Sequence, residues 1–265
     1  MIRHYILPGI VSLTLLGLSA CSPDSPSGYT GISGEKPTGS LLVSEEGLIA
    51  SYDMSTTTDE GLLRDFGSLA HHGRILGTTE TQGLFGRARA FKTSDDKIDL
   101  PETDAFDLDG PISIMIWFRL TGLGLHQHIL SVDDKFVFSV SRSNHLRFND
   151  TFTNGIEWST PLIAGNEYAI AVVFEGVRGD TLSARNIRMY HDGKPASATF
   201  VGQAKEGPQV WKSRDLYPSD AAYIGFQSHQ GRPDHQTLQF EGVIDELLIF
   251  NRVLTEDEIA VQSRP

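Results

Sequence analysis

The stretch that decides the fold is Phe240-Glu-Gly-Val-Ile-Asp-Glu-Leu-Leu-Ile-Phe-Asn-Arg-Val-Leu-Thr-Glu-Asp-Glu-Ile259. Its first half is an apolar run that predicts a strand, with one acidic residue, Asp245, inside it. Its second half begins at Thr255 and places the carboxylate of Glu258 three residues later, which is the capping-box start of a helix. The stretch therefore predicts a closing strand, a turn and one short C-terminal helix.

The chain before this stretch predicts strands almost throughout. Ile112, Ile114, Ile116 and Phe118 alternate, so they would share one face of a strand. Turn signals separate such runs at intervals of about 8–12 residues, which favours an all-β, two-sheet antiparallel sandwich over a parallel α/β fold. The clearest runs are Gly47–Asp53, Ile112–Phe118, Phe136–Val140, Tyr168–Phe174 and Ile187–Tyr190.

The N-terminus has the pattern of a secretory signal. A basic start at Arg3 precedes an apolar run over Ile6–Leu18, and small residues follow that run. Such a run is typical of a signal peptide and is too short to span a bilayer. The pattern predicts that residues 1–20 are a cleaved signal peptide.

The end of this signal, Leu18-Ser19-Ala20-Cys21, resembles a bacterial lipobox. The resemblance implies cleavage before Cys21 and a diacylglycerol on its thiol, so that acyl chains anchor the protein to a membrane. Ser22, in the place of an aspartate, resembles the signal that sorts lipoproteins to the outer membrane. The expected location is the bacterial cell envelope; the alternative is an ordinary signal peptide with a chance cysteine near the cut.

The segment after the cysteine has the composition of a tether. It is rich in serine, glycine, proline and threonine, and such a segment cannot bury enough apolar surface to order itself. We predict a flexible linker over residues 21–44, which would reach roughly 25 Å as a coil. The globular domain then covers residues 45–265.

Charge and cysteine content exclude several classes of function. The formal net charge is −12, which argues against nucleic-acid binding because phosphate contacts need a clustered basic face. The chain has one cysteine, so lipidation of Cys21 leaves no thiol for a disulfide, a zinc thiolate or a nucleophile. Acidic side chains can instead supply oxygen ligands to Ca²⁺.

Several segments, taken in order, resemble the laminin-G-like group of concanavalin A-like jelly rolls. The stretch from Phe240 to Ile259 is similar to the closing strand, turn and helix of that group. The resemblance covers about residues 46–262 and implies a jelly-roll sandwich with a short C-terminal helix. The other segments that carry it are Gly47–Met54, Leu63–Gly73, Phe91–Leu100, Arg188–Gly193 and Ala222–Gly225.

The resemblance also implies one structural calcium ion. Asp53 and Asp245 would supply carboxylates, and the turn near His72-Gly73 would supply a carbonyl. The alternative is that Asp53 ends a strand while Asp245 pairs with an arginine or caps a bulge. A second calcium site, of the pentraxin type, would start near Asp133-Asp134, but the matching loop, Gln227–Gln230, lacks acidic residues.

Catalytic patterns are weak in this sequence. Glycanases of this fold place carboxylates at alternating positions of one strand, whereas Glu246 points away from the face that Glu241 and Asp245 would share. A lyase of jelly-roll type would use a tyrosine, a histidine and a basic group. Arg188 and Tyr190 would share a face of one strand, which His191 would oppose. The candidate donors are Arg142, His145, Arg147, Arg188, Tyr190 and His191.

Sugar binding in water commonly uses an aromatic platform beside polar groups. Trp158 and Trp211 lie near turns with polar neighbours and are the predicted platform residues. The sequence therefore predicts a membrane-anchored, non-catalytic domain that binds a polysaccharide or an envelope or matrix protein, with support from calcium. The alternative is a polysaccharide lyase or glycoside hydrolase that uses the concave face of the same sandwich.

Overall fold

The computed structural model describes residues 43–101, 106, 110–132, 135–150, 154–202, 210–211, 222–226 and 239–263. Its strands are β1 (Leu48–Tyr52), β2 (Arg74–Leu76), β3 (Thr79–Gln82), β4 (Arg87–Phe91), β5 (Lys97–Leu100), β6 (Ile112–Leu120), β7 (Gln127–Val132), β8 (Phe136–Val140), β9 (Leu146–Asp150), β10 (Gly155–Trp158), β11 (Glu167–Phe174), β12 (Ile187–His191), β13 (Lys194–Pro195), β14 (Ala198–Val201), β15 (Ala222–Ile224) and β16 (Gly242–Phe250). The helix α1 spans Glu256–Gln262.

These strands form two antiparallel sheets. Sheet 1 has the order β13-β12-β11-β6-β16-β4-β3, and β1 also pairs with β16. Sheet 2 has the order β14-β10-β9-β8-β7-β15-β5-β2. The all-β, two-sheet sandwich with one short C-terminal helix is therefore confirmed.

The main core lies between the two sheets. Ile112, Ile114, Ile116 and Phe118 all belong to it, which confirms the shared face predicted from their alternation. Burial of these apolar side chains contributes about 1.5–3 kcal/mol each. Sheet 2 supplies its own inward residues, among them Ile98, Leu130, Phe138, Phe148 and Ile224.

A second apolar cluster covers the outer face of sheet 1. Trp117 of β6, Leu248 of β16 and Ile259 of α1 all belong to it. The helix begins as predicted, because the Thr255 hydroxyl accepts from the Glu258 amide and the Glu258 carboxylate accepts from the Thr255 amide. The helix thus covers the outer face of sheet 1. It does not cover the outer face of sheet 2.

Candidate functional site: the outer face of sheet 2

Sheet 2 strands present alternate side chains to the outside. Ile98 and Leu100 of β5 point into the core, so the two polar residues between and before them, Lys97 and Asp99, point outward. The same alternation turns Tyr223 of β15 outward. The outward polar residues of β9 and β10 include Arg147, Asn149 and Glu157.

Strand pairing joins these residues into a cross-strand row. Arg74 of β2 lies opposite Asp99 of β5, and Asp99 lies opposite Tyr223 of β15. Tyr223 in turn lies opposite Ser131 of β7. Neighbouring strands are about 4.8 Å apart, so residues far apart in sequence become close neighbours on this face.

Two cations share one carboxylate in this row. Arg74 Nη2 lies 2.5 Å from Asp99 Oδ2, and Lys97 Nζ lies 2.9 Å from Asp99 Oδ1. The side chain of Arg74 is 66% exposed, whereas those of Lys97 and Asp99 are 24% and 18% exposed. The guanidinium is therefore the outermost group of the three.

Two aromatic rings hold the lysine of this group. Lys97 Nζ lies 4.9 Å from the ring centroid of Tyr223 and 4.9 Å from that of Phe226. The two rings meet edge to face at 5.4 Å. A cation held over aromatic faces is stabilised by about 0.5–2 kcal/mol, and the contact fixes Lys97 beside the half-buried Tyr223 ring.

The opposite part of the face carries a closed ion pair. Arg147 of β9 and Glu157 of β10 lie opposite each other, and the Arg147 Nε donates to the Glu157 carboxylate. One cation here meets one anion, which differs from the two-to-one arrangement at Asp99. The outer face of sheet 2 thus combines aromatic rings, amides and charges, the groups that bind polar ligands.

The two tryptophans predicted as platforms lie in the core. Trp211 is 0% exposed, and its ring stacks on Phe148 at 5.5 Å and on Phe174 at 5.1 Å. Trp158 is 6% exposed and packs against His191 at 4.6 Å. Neither ring presents a face to a sugar, because Trp158, at an inward position of β10, and Trp211 both pack in the main core. Tyr223 and Phe226 are the aromatic residues that the structure brings to the outer face.

Asp53, the first predicted calcium ligand, is engaged by its own turn. It follows β1 directly, and its Oδ1 accepts the amides of Ser55 and Thr56 at 3.0 and 2.8 Å. Its Oδ2 accepts the Thr56 hydroxyl at 2.6 Å. Arg89, a buried arginine on β4, interacts electrostatically with this carboxylate. Asp53 therefore caps the end of its strand and has protein donors on both oxygens.

Asp245, the second predicted ligand, lies at a bulge in β16, where pairing with β6 shifts between Ile244 and Glu246. The side chain is 2% exposed, and its Oδ2 accepts the Phe85 amide at 2.8 Å. Burial raises the pKa of the carboxyl group, while the hydrogen bonds from the backbone of Phe85 and Leu84 oppose this. Asp245 thereby holds the hairpin between β3 and β4, and the Phe85 ring packs on Trp117 at 5.6 Å.

The two predicted calcium ligands lie near each other, and protein donors engage both of them. Burial is the main cause of the raised pKa of Asp245, and the charge on Asp53 adds to it. However, Ca²⁺ takes 6–8 oxygen ligands, and no group of three or more acidic, histidine or cysteine residues among the described positions could hold a metal ion. Calcium binding stays a prediction, and the pentraxin-type positions 133–134 and 227–230 lie outside the described residues.

The residues considered for a lyase do not converge on an open face. Tyr190 is buried, and its hydroxyl donates to Glu256 of α1 at 3.4 Å. Arg188 pairs with Glu175 at 3.3 Å, and the His191 ring packs against Trp158. All three serve packing or pairing on sheet 1.

The carboxylates on the outer face of sheet 2 are too far apart for glycoside hydrolysis. Asp99 on β5 and Glu157 on β10 are separated by five strand spacings, which is about 24 Å along the sheet. A retaining glycosidase needs two carboxyl groups about 5–5.5 Å apart and an inverting one needs about 6.5–9.5 Å. Of the other acids considered, Asp245 and Glu246 are buried on sheet 1, and Glu241, directly before β16, is half-buried.

The fold and this face can be compared with known proteins. A laminin G family model, described as the concanavalin A-like lectin/glucanases superfamily, matches residues 92–260. The chain belongs to this family. No curated protein sequence matches the chain.

Solved structures share the fold at low sequence identity. The Trypanosoma rangeli sialidase in complex with 2,3-difluoro-KDN aligns with a TM-score of 0.56 at 14% identity, over 92% of this chain and 36% of the sialidase. Domain 4 of a GH43 extracellular arabinanase from Geobacillus stearothermophilus, in complex with arabinotriose, aligns with a TM-score of 0.54 at 18% identity, over 82% of this chain and 98% of that domain. The binding domain of Paraclostridial Mosquitocidal Protein 1 gives 0.55 at 14% identity, over 83% and 52%. The chain spans about a third of the sialidase, and these identities show the fold alone.

The predicted signal peptide, Cys21 and nearly all of the linker lie outside the described residues. None of the helices in the part of the chain that the structure describes is long and apolar enough to cross a membrane.

Proposed function

We propose that this protein is a non-catalytic polysaccharide-binding protein whose ligand lies on the outer face of sheet 2. The observation that carries the proposal is the half-buried Tyr223 ring, which Lys97 and Phe226 contact. The exposed guanidinium of Arg74 lies in the same cross-strand row. A sugar ring stacks its C–H face on an aromatic ring while its hydroxyl groups need donors and acceptors at the side. The arabinanase domain of the same fold, which was solved with arabinotriose, supports a saccharide ligand.

The test measures retention of the full-length protein on a panel of polysaccharides in affinity gel electrophoresis. Tyr223→Ala should weaken binding about tenfold, because ring stacking contributes about 0.5–1.5 kcal/mol and the substitution also releases Lys97. Tyr223→Phe keeps the ring and is the matched control, and it should bind nearly as well as the wild type. Arg87→Ala removes an exposed, ion-paired arginine from sheet 1 and should change nothing.

Three results would contradict the proposal. Release of reducing ends or of unsaturated uronate at catalytic rates would indicate an enzyme. Equal retention of Tyr223→Ala and the wild type would move the site elsewhere on the molecule. Retention on no glycan, together with co-purification of an envelope protein, would indicate a protein ligand.

The proposal includes a lipid anchor at Cys21 in the cell envelope, with residues 21–44 as the tether. It is supported by the lipobox pattern and by the serine-, glycine- and proline-rich composition after it. Several acyl chains on one residue give stable anchoring, since each buried methylene contributes about 0.8 kcal/mol. Cys21→Ser should abolish incorporation of labelled palmitate and move the protein from the membrane fraction to the soluble fraction. An unchanged distribution would leave the binding proposal intact and remove the anchor.

A further inference from the structure

The charges at one end of the outer face are unequal. This end, which we call the Arg74–Lys97 edge, consists of Arg74, Lys97, Asp99, Tyr223 and Phe226. Asp99 forms ion pairs with both cations, through Oδ2 with Arg74 and through Oδ1 with Lys97, so the group of three carries one net positive charge. The whole chain has a formal net charge of −12, so the positive charge of this group is opposite in sign to the net charge of the chain.

The exposed charges of the adjoining turn balance each other, and its one further acid is buried beneath the surface that a ligand meets. The turn before β5 carries an exposed base, Lys92, and an exposed acid, Asp95, which offset each other. The second acid of that turn, Asp96, is buried and accepts the amides of Lys92 and Thr93 at 2.6 and 3.0 Å. At the other end of the face, Arg147 and Glu157 balance one to one.

Exposure decides which charge a ligand meets first. The Arg74 side chain is 66% exposed, whereas the Asp99 side chain below it is 18% exposed. A guanidinium has five N–H donors in a planar fork, and the bond to Asp99 uses Nη2. The remaining donors lie on the exposed part of the side chain, in a geometry that suits a carboxylate or sulfate.

Arg74 and Tyr223 are two strand spacings apart in one row, about 10 Å, with Asp99 between them. A sugar ring stacked on Tyr223 can therefore direct an acidic substituent toward the Arg74 side chain. The position of the Lys97 side chain is restrained, because its Nζ contacts Asp99 and two aromatic rings. The positive charge is thus fixed beside the aromatic platform.

We infer that the Arg74–Lys97 edge binds the anionic group of an acidic saccharide, so that the ligand is a uronate-containing or sulfated polysaccharide and not a neutral one. This inference rests on the proposed function and specifies its ligand class. Tyr223 supplies the stacking surface, Arg74 supplies the anion contact, and Lys97 supplies a fixed charge beside them.

The experiment uses pairs of glycans that differ in charge alone. The full-length protein is titrated with polygalacturonate and with its fully methyl-esterified form, and then with dextran sulfate and dextran. The charged member of at least one pair should bind about tenfold more tightly, which is the size of one charge-assisted hydrogen bond. The pair that shows the preference identifies the anion as carboxylate or sulfate, and added salt should reduce the preference.

Variants assign the preference to this edge. Arg74→Ala should remove most of the tenfold difference between the charged and the neutral member of the pair, whereas Arg74→Lys should retain part of that difference because the charge stays but the planar fork is lost. Arg87→Ala, which removes a comparably exposed arginine from sheet 1, should keep the full preference.

The outcomes separate this inference from the proposed function. Equal affinity for both members of each pair, or a preference that survives Arg74→Ala, overturns the inference. If Tyr223→Ala still weakens binding in that case, the polysaccharide-binding function stands with a neutral ligand. Retention on no glycan overturns both.

Discussion

The outer faces of the two sheets differ in what covers them. On sheet 1, Trp117 and Leu248 are buried beneath α1 and the Phe85 hairpin, and the face has become a second apolar core. On sheet 2, the equivalent positions hold charged and amide side chains such as Lys97 and Arg147, which are partly exposed. The difference shows that one outer face is covered and contributes to stability, whereas the other stays partly solvated, where the proposed ligand would bind.

The strand sequences of the two sheets differ in the same way. The central strands of sheet 1, β6, β11 and β16, are nearly continuous apolar runs, as expected for strands buried on both faces. In sheet 2, β5 and β9 alternate apolar and polar residues, as expected for strands with one solvated face. If the two faces also differ in energy, substitutions on the outer face of sheet 1 should lower the free energy of unfolding much more than substitutions on the outer face of sheet 2.

The largest effect is expected on the covered face. Trp117→Ala should lower the free energy of unfolding by about 3–5 kcal/mol, because it empties a fully buried site beneath Phe85 and α1. Urea denaturation followed by circular dichroism measures the change. Tyr223→Ala on sheet 2 is the comparison variant and should cost much less. A loss below about 1 kcal/mol for Trp117→Ala would show that the outer face of sheet 1 behaves as ordinary surface.

Much of the fold could be predicted from local patterns. The Thr255–Glu258 capping box and the alternation of Ile112, Ile114 and Ile116 each lie within a few consecutive residues, and both are confirmed. Their physical causes are local: a cap satisfies nearby amides, and alternation follows from the pleat of one strand.

The candidate site could not be predicted in the same way. Arg74, Asp99 and Tyr223 come from three separate strands, and strand register, which the sequence does not state, puts them in one row. Alternation in β5 did contain a signal, because inward Ile98 and Leu100 require Lys97 and Asp99 to point outward. The polar neighbours of Trp158 and Trp211 in the sequence predict platform positions, but tertiary packing places both rings inside the core.

A smaller effect is expected at Asp245, where the two interpretations of the sequence can be separated. Asp245→Ala should lower the free energy of unfolding by about 1–3 kcal/mol, since it leaves the partly buried Phe85 amide without its acceptor. Asp245→Asn keeps an oxygen at the same place and should avoid this loss. If the carboxylate bound calcium, both variants would lose a calcium-dependent rise in melting temperature that the wild type would show and a chelator would remove.

The pH dependence of the same residue has a definite sign. Because burial raises the pKa of Asp245, the folded protein holds this proton more tightly than the unfolded chain. Its contribution to stability is fully present below the unfolded pKa and is lost as pH rises through the folded pKa. Asp245→Asn should therefore gain stability relative to the wild type as pH rises from acid toward neutral. A difference between the two proteins that is independent of pH would contradict this assignment.

The helix that covers sheet 1 should respond to pH in the opposite direction. Hydrogen bonds from Arg252 lower the pKa of Glu258, whose oxygens lie 2.7 and 3.0 Å from the guanidinium nitrogens. Its contribution is present above the unfolded pKa and is lost as pH falls through the folded pKa. Glu258→Gln should cost about 1 kcal/mol at neutral pH and nothing in strong acid, as measured by urea titrations at both pH values. A cost that persisted in acid would assign the effect to packing.

The smallest effect on stability is expected on the outer face of sheet 2. Glu157→Gln breaks the ion pair with Arg147, yet it should change the free energy of unfolding by less than about 1 kcal/mol, because partly solvated pairs contribute little. The same variant alters the polar surface offered to a ligand, so glycan affinity can change while the melting temperature does not. A loss as large as that of Trp117→Ala would make this face structural and would remove the division between the two sheets. A change in affinity without a change in stability is what a recognition face requires.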